Sequence, residues 1–428
     1  MSSFGLALRN RALTVLMLGH FTNDMFAGVL AIMFPVLKLR FGLSNAEIGF
    51  ATLAYTMCSS FSQPLFGHLA DRHSRRWYAP LAVLWGSMFV SLYGWAPTFP
   101  LLLACAAMAG MASGAFHPIG ASNAAAVTEP GYRNGAMSLY TVAGTSGYAL
   151  GPLVTSALLT MFGPPGTGFL VIPGIVASTL LLSQMGIVMR SRAARAAATA
   201  HLAQARAAWG PLGRIVGVTM LRAWIFTGIL QFTPLWFDSL GYGRGFYGPL
   251  TTVIILAGAI GTLCGGALAD RIGQKQVVIS SLALTAPAIL LYAAAPGPHS
   301  LVTGFLFGLF ADASLSVTLV MAQNLVPGRV GVATGVILGL GFVTGGVGMP
   351  ITGAIADRFG IQTALLLLSV LAVAAALLAL TIPSDRTLAA RMRAPEPDDD
   401  GSSPASPGVA AAPVAAANAP ASSSAARR

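Results

Sequence analysis

Long apolar segments separated by short polar breaks run along the chain from about Ala12 to Pro383. Each holds about 20 residues, the length that an α-helix needs to cross a hydrocarbon core of about 30 Å. We distinguish twelve such segments and number them in chain order. The pattern predicts an all-α membrane protein with twelve transmembrane helices, surrounded by a lipid bilayer.

One short motif occurs twice, at half-length. Residues 67–72 (Gly-His-Leu-Ala-Asp-Arg) return as 266–271 (Gly-Ala-Leu-Ala-Asp-Arg), an offset of 266 − 67 = 199 residues. Such a repeat predicts two pseudo-symmetric six-helix bundles, an arrangement typical of transporters. The predicted divisions are an N-terminal stretch (1–11), a first bundle (12–189), a linker (190–211), a second bundle (212–383) and a tail (384–428).

Composition excludes several other classes of protein. The chain is 55% hydrophobic and 9% charged, and a soluble domain carries roughly 25% charged residues. The net charge of +11 comes from basic residues scattered among loops, which argues against nucleic acid as a partner. The three cysteines lie within apolar segments without metal-ligand spacing, so we predict no disulfide, no metal site and no cofactor.

Lysine and arginine are unevenly divided between the two sets of loops. One set holds most of them, and the other holds only Lys38, Arg40, Arg244 and Arg358. By the positive-inside rule the basic loops are cytoplasmic, which places both termini in the cytoplasm and the chain in the inner membrane. The Ala- and Arg-rich linker is either a helix lying on the inner leaflet or a solvated connection. The Ala/Pro/Ser-rich tail is predicted to be disordered.

The repeated motif is a candidate gate. Each copy ends a segment and opens a basic cytoplasmic loop, where the glycine permits close helix packing and the aspartate can accept from a helix N-terminus or pair with arginine. The gating candidates are Gly67, Asp71, Arg72, Arg75, Gly266, Asp270 and Arg271. The alternative is a static turn anchored by positive charge.

The repeated motif resembles the loop motif of the major facilitator superfamily, over about residues 10–383. Within that superfamily the chain resembles the fosmidomycin-resistance group of efflux proteins. That resemblance is carried by residues 19–25, 59–64, 116–118, 147–153 and 322–329. It implies alternating access of two bundles, a central cavity lined by segments 1, 4, 7 and 10, and a monomer.

Gly147-x-x-x-Gly151-Pro152 in segment 5 resembles a signature of drug–proton antiporters. Proline frees a backbone carbonyl and bends the helix, while the two glycines allow tight packing on a neighbour. This favours antiport over uptake. The alternative is ordinary packing of small residues.

Charged side chains inside the segments are candidates for function, because isolated charge in hydrocarbon is costly. Asp24 has His20 four residues earlier on the same helical face and Asn23 beside it, Asp312 lies in segment 10, and Arg222 lies in segment 7. We predict that Asp24 exchanges protons, assisted by His20 and Asp312, and that the approach of Arg222 drives proton release. The alternative is a permanent Asp–Arg pair joining the halves.

Several polar side chains are candidates for binding substrate. His117 precedes Pro118 and can contact a proton or an anionic substrate, or donate to a carbonyl that the proline frees. The other substrate candidates are Arg222, Asn23, Gln63, Gln231, Gln323 and Asn324. More often, such amides link helices.

Together these features predict a secondary transporter that exports a small organic molecule or drug in exchange for protons. An importer or facilitator of an organic acid or sugar is the first alternative, and a non-transporting membrane sensor or scaffold is the second. No Gly-x-x-x-x-Gly-Lys-Ser/Thr loop occurs, so neither ATP hydrolysis nor another enzymatic activity is expected.

We expect truncation after Ser384 to leave transport nearly unchanged, because the tail cannot bury enough apolar surface to fold against the bundles. Uptake into vesicles carrying equal amounts of full-length and truncated protein measures this. Loss of transport at normal expression would show that the tail takes part in it.

Overall fold

A computed structural model describes residues 9–72, 75–128, 133–198, 209–325 and 330–383. Within these ranges it does not describe the side chains of 70–72, 133–135, 138, 192–198, 270, 324, 330–335 and 338. The tail (384–428), most of the N-terminal stretch and the middle of the linker lie outside the described residues, so what we predict for them remains a prediction.

The described chain forms α-helices throughout its twelve predicted segments. In the first half these are α1 (Arg11–Ala27), α2 (Val29–Phe41), α3 (Asn45–Arg72), α4 (Tyr78–Ser91), α5 (Phe99–Ala126), α6 (Arg133–Phe162) and α7 (Val171–Ala198). In the second half they are α8 (Trp209–Ser239), α9 (Arg244–Ile272), α10 (Gln274–Ala294), α11 (Ser300–Asp312), α12 (Leu315–Leu325), α13 (Val330–Phe359) and α14 (Ile361–Leu380). Short 3₁₀ helices cover Tyr93–Trp95 and Pro164–Leu170.

Two segments are broken near their centres. Segment 1 consists of α1 and α2, separated at Gly28, and segment 10 consists of α11 and α12, separated at residues 313–314. A Cβ on Gly28 would lie 2.7 Å from the Pro152 ring and 2.8 Å from the Tyr148 carbonyl oxygen. Glycine therefore lets α6 approach the break in segment 1. Broken helices are tolerated in a membrane where other helices cover the freed backbone.

Helix α7 continues to Ala198 and α8 begins at Trp209, so helix occupies both ends of the predicted linker. Alanine and arginine are strong helix formers, which explains the extension of α7.

The packing inside the two halves follows the same pattern. In the first half α1 packs on α6, α3 on α5, and α4 on α7. In the second half the equivalent pairs are α8 with α13, α9 with α11, and α10 with α14. The halves meet where α3 packs on α13 and α6 on α9. These pairings relate the two bundles by a pseudo-two-fold axis.

Nine helical segments in the described residues are long and apolar enough to cross a membrane, beginning with Phe99–Ala126. The first three predicted segments do not meet that criterion by themselves. Segment 1 is broken at Gly28, α4 has 14 residues, and α3 contains several serines and Gln63. Their apolar residues pack within the first bundle. Contacts with neighbouring helices therefore stabilise segments that are too short, or not apolar enough, to meet the criterion by themselves.

Two faces of the molecule are named here for later use. The terminal face holds the start of α1 and the ends of α3, α5 and α9. The distal face lies at the other end and holds the turns 42–44 and 240–243. Large apolar side chains, among them Phe61, Met161 and Val302, are exposed on the outside of the bundles. A surface of this kind suits lipid rather than water.

Candidate functional site

Two histidines and one carboxylate from different helices meet inside the first bundle. Residues four apart share one face of a helix, so α1 presents His20 and Asp24 together. His20 Nε2 lies 3.2 Å from one Asp24 carboxylate oxygen, and Nε2 of His117 on α5 lies 3.6 Å from the other. We call these three residues the His–Asp cluster. All three side chains are less than one third exposed.

The hydrogen bonds of His20 determine how many protons the His–Asp cluster holds. His20 Nδ1 lies 2.8 Å from the carbonyl oxygen of Tyr140, which can only accept, so Nδ1 carries a proton. The ring of Tyr140 also stacks on His20, with centroids 4.3 Å apart. The contact between Nε2 and Asp24 then requires a second proton, either on Nε2 or on the carboxylate. The geometry therefore favours a proton shared between His20 and Asp24.

Glycines on α6 leave the space that the His–Asp cluster occupies. A Cβ on Gly144 would lie 2.5 Å from the His20 ring and 2.6 Å from an Asp24 oxygen. Gly147 and Gly151, predicted to pack on a neighbouring helix, lie directly against the backbone of α1, at Phe21 and Met25. The three glycines thus hold α1 and α6 close together beside the cluster.

The second bundle contains a different kind of charge group. Arg222 on α8 forms a buried ion pair with Asp312 at the end of α11. The Asp312 carbonyl also accepts a hydrogen bond from Thr262, at 3.0 Å. A Cβ on Gly258 would lie 2.8 Å from an Asp312 carboxylate oxygen, so α9 approaches the pair closely.

In this structure Arg222 does not lie against Asp24, the residue that we predicted it to approach. Its partner is instead Asp312, within the same bundle, and Asn23 donates to Asp24 at 2.9 Å. The repeat offset gives equivalent positions in the two halves, but it does not give contacts between them.

The remaining substrate candidates are dispersed. Gln63 is half-buried and Gln231 is buried, and one amide atom of each has no hydrogen-bond partner within the described part of the chain. Gln323 is half-buried, and the Asn324 side chain lies outside the described residues.

The structure describes the gating candidates in part. The side chains of Asp71, Arg72 and Asp270 lie outside the described residues, while Arg75 and Arg271 are exposed. An added Cβ on Gly67 would lie 3.5 Å from Pro118, and one on Gly266 would lie 3.5 Å from the Ser316 hydroxyl. These are ordinary contacts, so close packing by itself does not require glycine at either position.

The His–Asp cluster also bears on the prediction that the chain has no metal site. Three atoms of types that bind cations lie within 4.8 Å of one another, two of them from neighbouring turns of α1 and the third from His117 on α5. Structural metal ions are generally held by four ligands, and the described residues provide three here. A proton needs only the two atoms that share it.

Sequence reasoning missed Gly144 and the Tyr140 carbonyl. The signal for Gly144 was the spacing of glycines at 144, 147 and 151, which places all three on one helix face. No sequence signal exists for a backbone carbonyl.

Comparison with known proteins gives consistent matches over most of the chain. The family model described as Major Facilitator Superfamily matches residues 16–261 and 238–423. The uncharacterized MFS-type transporter YfnC of Bacillus subtilis (strain 168) is 31% identical over 384 residues, covering 86% of this chain and 92% of YfnC. The fosmidomycin resistance protein of Escherichia coli (strain K12) is 28% identical over 372 residues, covering 84% of this chain and 88% of the relative.

Solved structures share the fold. A bacterial homologue of the human lysosomal transporter Spinster, in an inward-facing and occupied conformation, superposes with a TM-score of 0.74 at 16% identity. That match covers 90% of this chain and 98% of the homologue. A D-xylose–proton symporter superposes with a TM-score of 0.72 at 15% identity, covering 87% and 98%. The predicted fold of two six-helix bundles is confirmed.

We expect Asp312→Asn to lower the free energy of unfolding by about 3 kcal/mol, because the substitution leaves the Arg222 guanidinium buried without a counter-charge. Thermal unfolding of the purified protein measures the loss. The double variant Arg222→Gln/Asp312→Asn removes both charges and should recover most of it. If the single variant is as stable as the parent, the ion pair does not carry the stability assigned to it.

Proposed function

Because the chain belongs to the major facilitator superfamily, it is a multi-pass membrane transporter and not an enzyme, and we propose that it exports a small organic molecule in exchange for protons. The observation that carries this proposal is the His–Asp cluster, because the contacts of His20 with Tyr140 and Asp24 favour a shared proton inside an apolar bundle. The name of the fosmidomycin resistance protein supports export as the direction.

The surroundings of Asp24 support its assignment as the proton-exchanging carboxylate. Among the described side chains, His20, His117 and Asn23 contact the Asp24 carboxylate. None of these carries a permanent positive charge. The Asp24 charge is therefore balanced by a proton, on the carboxylate itself or on a neighbouring imidazole. When water reaches the cluster from one side, that proton can leave to that side.

The Arg222–Asp312 pair has a different role in this proposal. Arginine stays protonated in proteins, so it balances Asp312 without any proton exchange. We therefore assign Asp312 to a structural pair and proton coupling to Asp24, His20 and His117.

The substrate in this proposal carries polar and partly anionic groups. His117 lies beside Asp24 and is half-buried, so a protonated imidazole there attracts an anion. The unpaired amide atoms of Gln63 and Gln231 supply neutral hydrogen bonds. Arg222 is engaged with Asp312 and binds a substrate anion only if that anion replaces the carboxylate.

For the orientation we propose that the terminal face is cytoplasmic, that the chain acts as a monomer in the inner membrane, and that both termini lie in the cytoplasm. The basic loops at the terminal face support this assignment. At that face the repeated motifs at 67–72 and 266–271 would form the cytoplasmic gate.

Transport in inside-out vesicles tests the function. Fosmidomycin is the first probe, followed by a panel of small anionic and amphipathic compounds. An exporter coupled to protons accumulates a probe when the vesicle lumen is acidified. An importer loses preloaded probe under the same gradient, and a sensor or scaffold moves none of the panel; either result would overturn the proposal.

We expect Asp24→Asn to abolish accumulation driven by a pH gradient while sparing the exchange of labelled for unlabelled substrate. The amide cannot take up and release the proton, but alternating access with substrate bound does not require it. The same vesicles, with and without the gradient, measure both activities. Asp238→Asn, at an exposed carboxylate on the distal face, is the matched control. Driven transport that survives in Asp24→Asn would remove Asp24 from the coupling role.

A further inference from the structure

The two halves are in close contact where α3 and α13 meet near the distal face. A Cβ on Gly49 of α3 would lie 2.8 Å from the backbone of Met349 and Pro350 on α13. Gly346 faces the Thr56 side chain, and Gly353 faces the Asn45 carbonyl, and neither position has room for a Cβ. The backbones of the two helices are therefore in direct contact over this part of the interface between the halves.

The first turn of α3 is capped from both halves of the molecule. Within the first half, the backbone N–H of Ser44 donates to Glu47 at 2.8 Å, and that of Glu47 donates to the Ser44 hydroxyl at 3.1 Å. This reciprocal capping box leaves the N–H groups of Asn45 and Ala46 free. Both donate to Asp357 on α13, at 2.7 and 2.9 Å.

Asp357 belongs to a third copy of the repeated motif. Residues 353–358 (Gly-Ala-Ile-Ala-Asp-Arg) differ from the two copies at 67–72 and 266–271 by isoleucine in place of leucine, and they end segment 11, at the distal face. Unlike Gly67 and Gly266, Gly353 has no room for a Cβ, because it lies against the backbone of Asn45 and Ala46 in the first turn of α3. The third copy thus occupies a closed contact between the halves.

We propose that Asp357 is a gating residue that holds the distal face closed by capping α3 from the opposite half. A carboxylate at a helix N-terminus is favoured by the helix dipole and by the free N–H groups, and hydrogen bonds to a charged acceptor are stronger than neutral ones. Separation of α3 from α13 breaks both bonds at once and exposes two uncapped donors. The contact therefore stabilises the state that is closed at the distal face and open at the terminal face.

The same two helices have the reverse arrangement at the terminal face. There α3 ends in the copy at 67–72, and α13 begins at Val330. The side chains of Asp71 and of residues 330–335 lie outside the described residues, so the distal contact alone carries the proposal.

This inference rests on the alternating access proposed above, but not on proton coupling or on the direction of transport. Its test measures conformation directly. Spin labels at Leu39→Cys and Leu240→Cys, two exposed distal positions on opposite halves, report the separation of the halves by pulsed electron resonance. The background carries serine in place of Cys58, Cys105 and Cys264.

In full-length protein in lipid, we expect Asp357→Asn to raise the ratio of distal-open to distal-closed molecules about tenfold, because the charged acceptor is lost. Glu47→Gln is the matched control, since it removes a carboxylate that caps the same helix from its own half. It should leave the ratio unchanged.

Two results would overturn the proposal. An unchanged ratio in Asp357→Asn would show that the contact does not hold the halves together. Equal shifts in Asp357→Asn and Glu47→Gln would show that capping of α3, and not a bond between halves, sets the ratio. Thermal unfolding of both variants identifies any general loss of folding. A change of the ratio in Asp357→Asn alone supports the gating role of Asp357, even if the vesicle experiments find no efflux.

Discussion

A buried carboxylate among apolar helices needs a positive partner, and this requirement shapes both bundles. Each half meets it differently. Asp312 is paired with Arg222, whose charge is permanent, whereas Asp24 faces His20 and His117, whose charge depends on a bound proton. Two halves built from one repeated plan thus carry one fixed charge pair and one group that can gain and lose charge.

Close packing puts the His–Asp cluster beside a helix that contacts the other half. Glycines 144, 147 and 151 bring α6 onto α1, and α6 in turn packs on α9 of the other half. Side chains on α6 also connect the halves through hydrogen bonds near the distal face, such as Ser156 to the Arg244 carbonyl at 2.7 Å. The cluster therefore lies against a helix that belongs to the interface between the halves.

The contact between α3 and α13 depends on a different interaction from the His–Asp cluster. The α3–α13 contact relies on backbone groups at the end of a helix, which any sequence provides, and on one carboxylate, Asp357, placed to receive them. Such a contact is specific yet reversible, because water can replace each hydrogen bond when the halves part. In our proposals the His–Asp cluster binds a proton, and the contact of Asp357 with α3 holds one conformational state.

The sequence by itself determined the fold class, because hydropathy, the 199-residue repeat and the excess of basic residues in alternate loops are local or periodic signals. It also determined that His20 and Asp24 share a face, since both lie on one helix. Only the tertiary structure decided that His117 joins them, that Arg222 pairs with Asp312, and that Asp357 caps α3. Each of these contacts joins residues that are far apart in sequence. Helix packing set them, and no local pattern encodes its angles and registers.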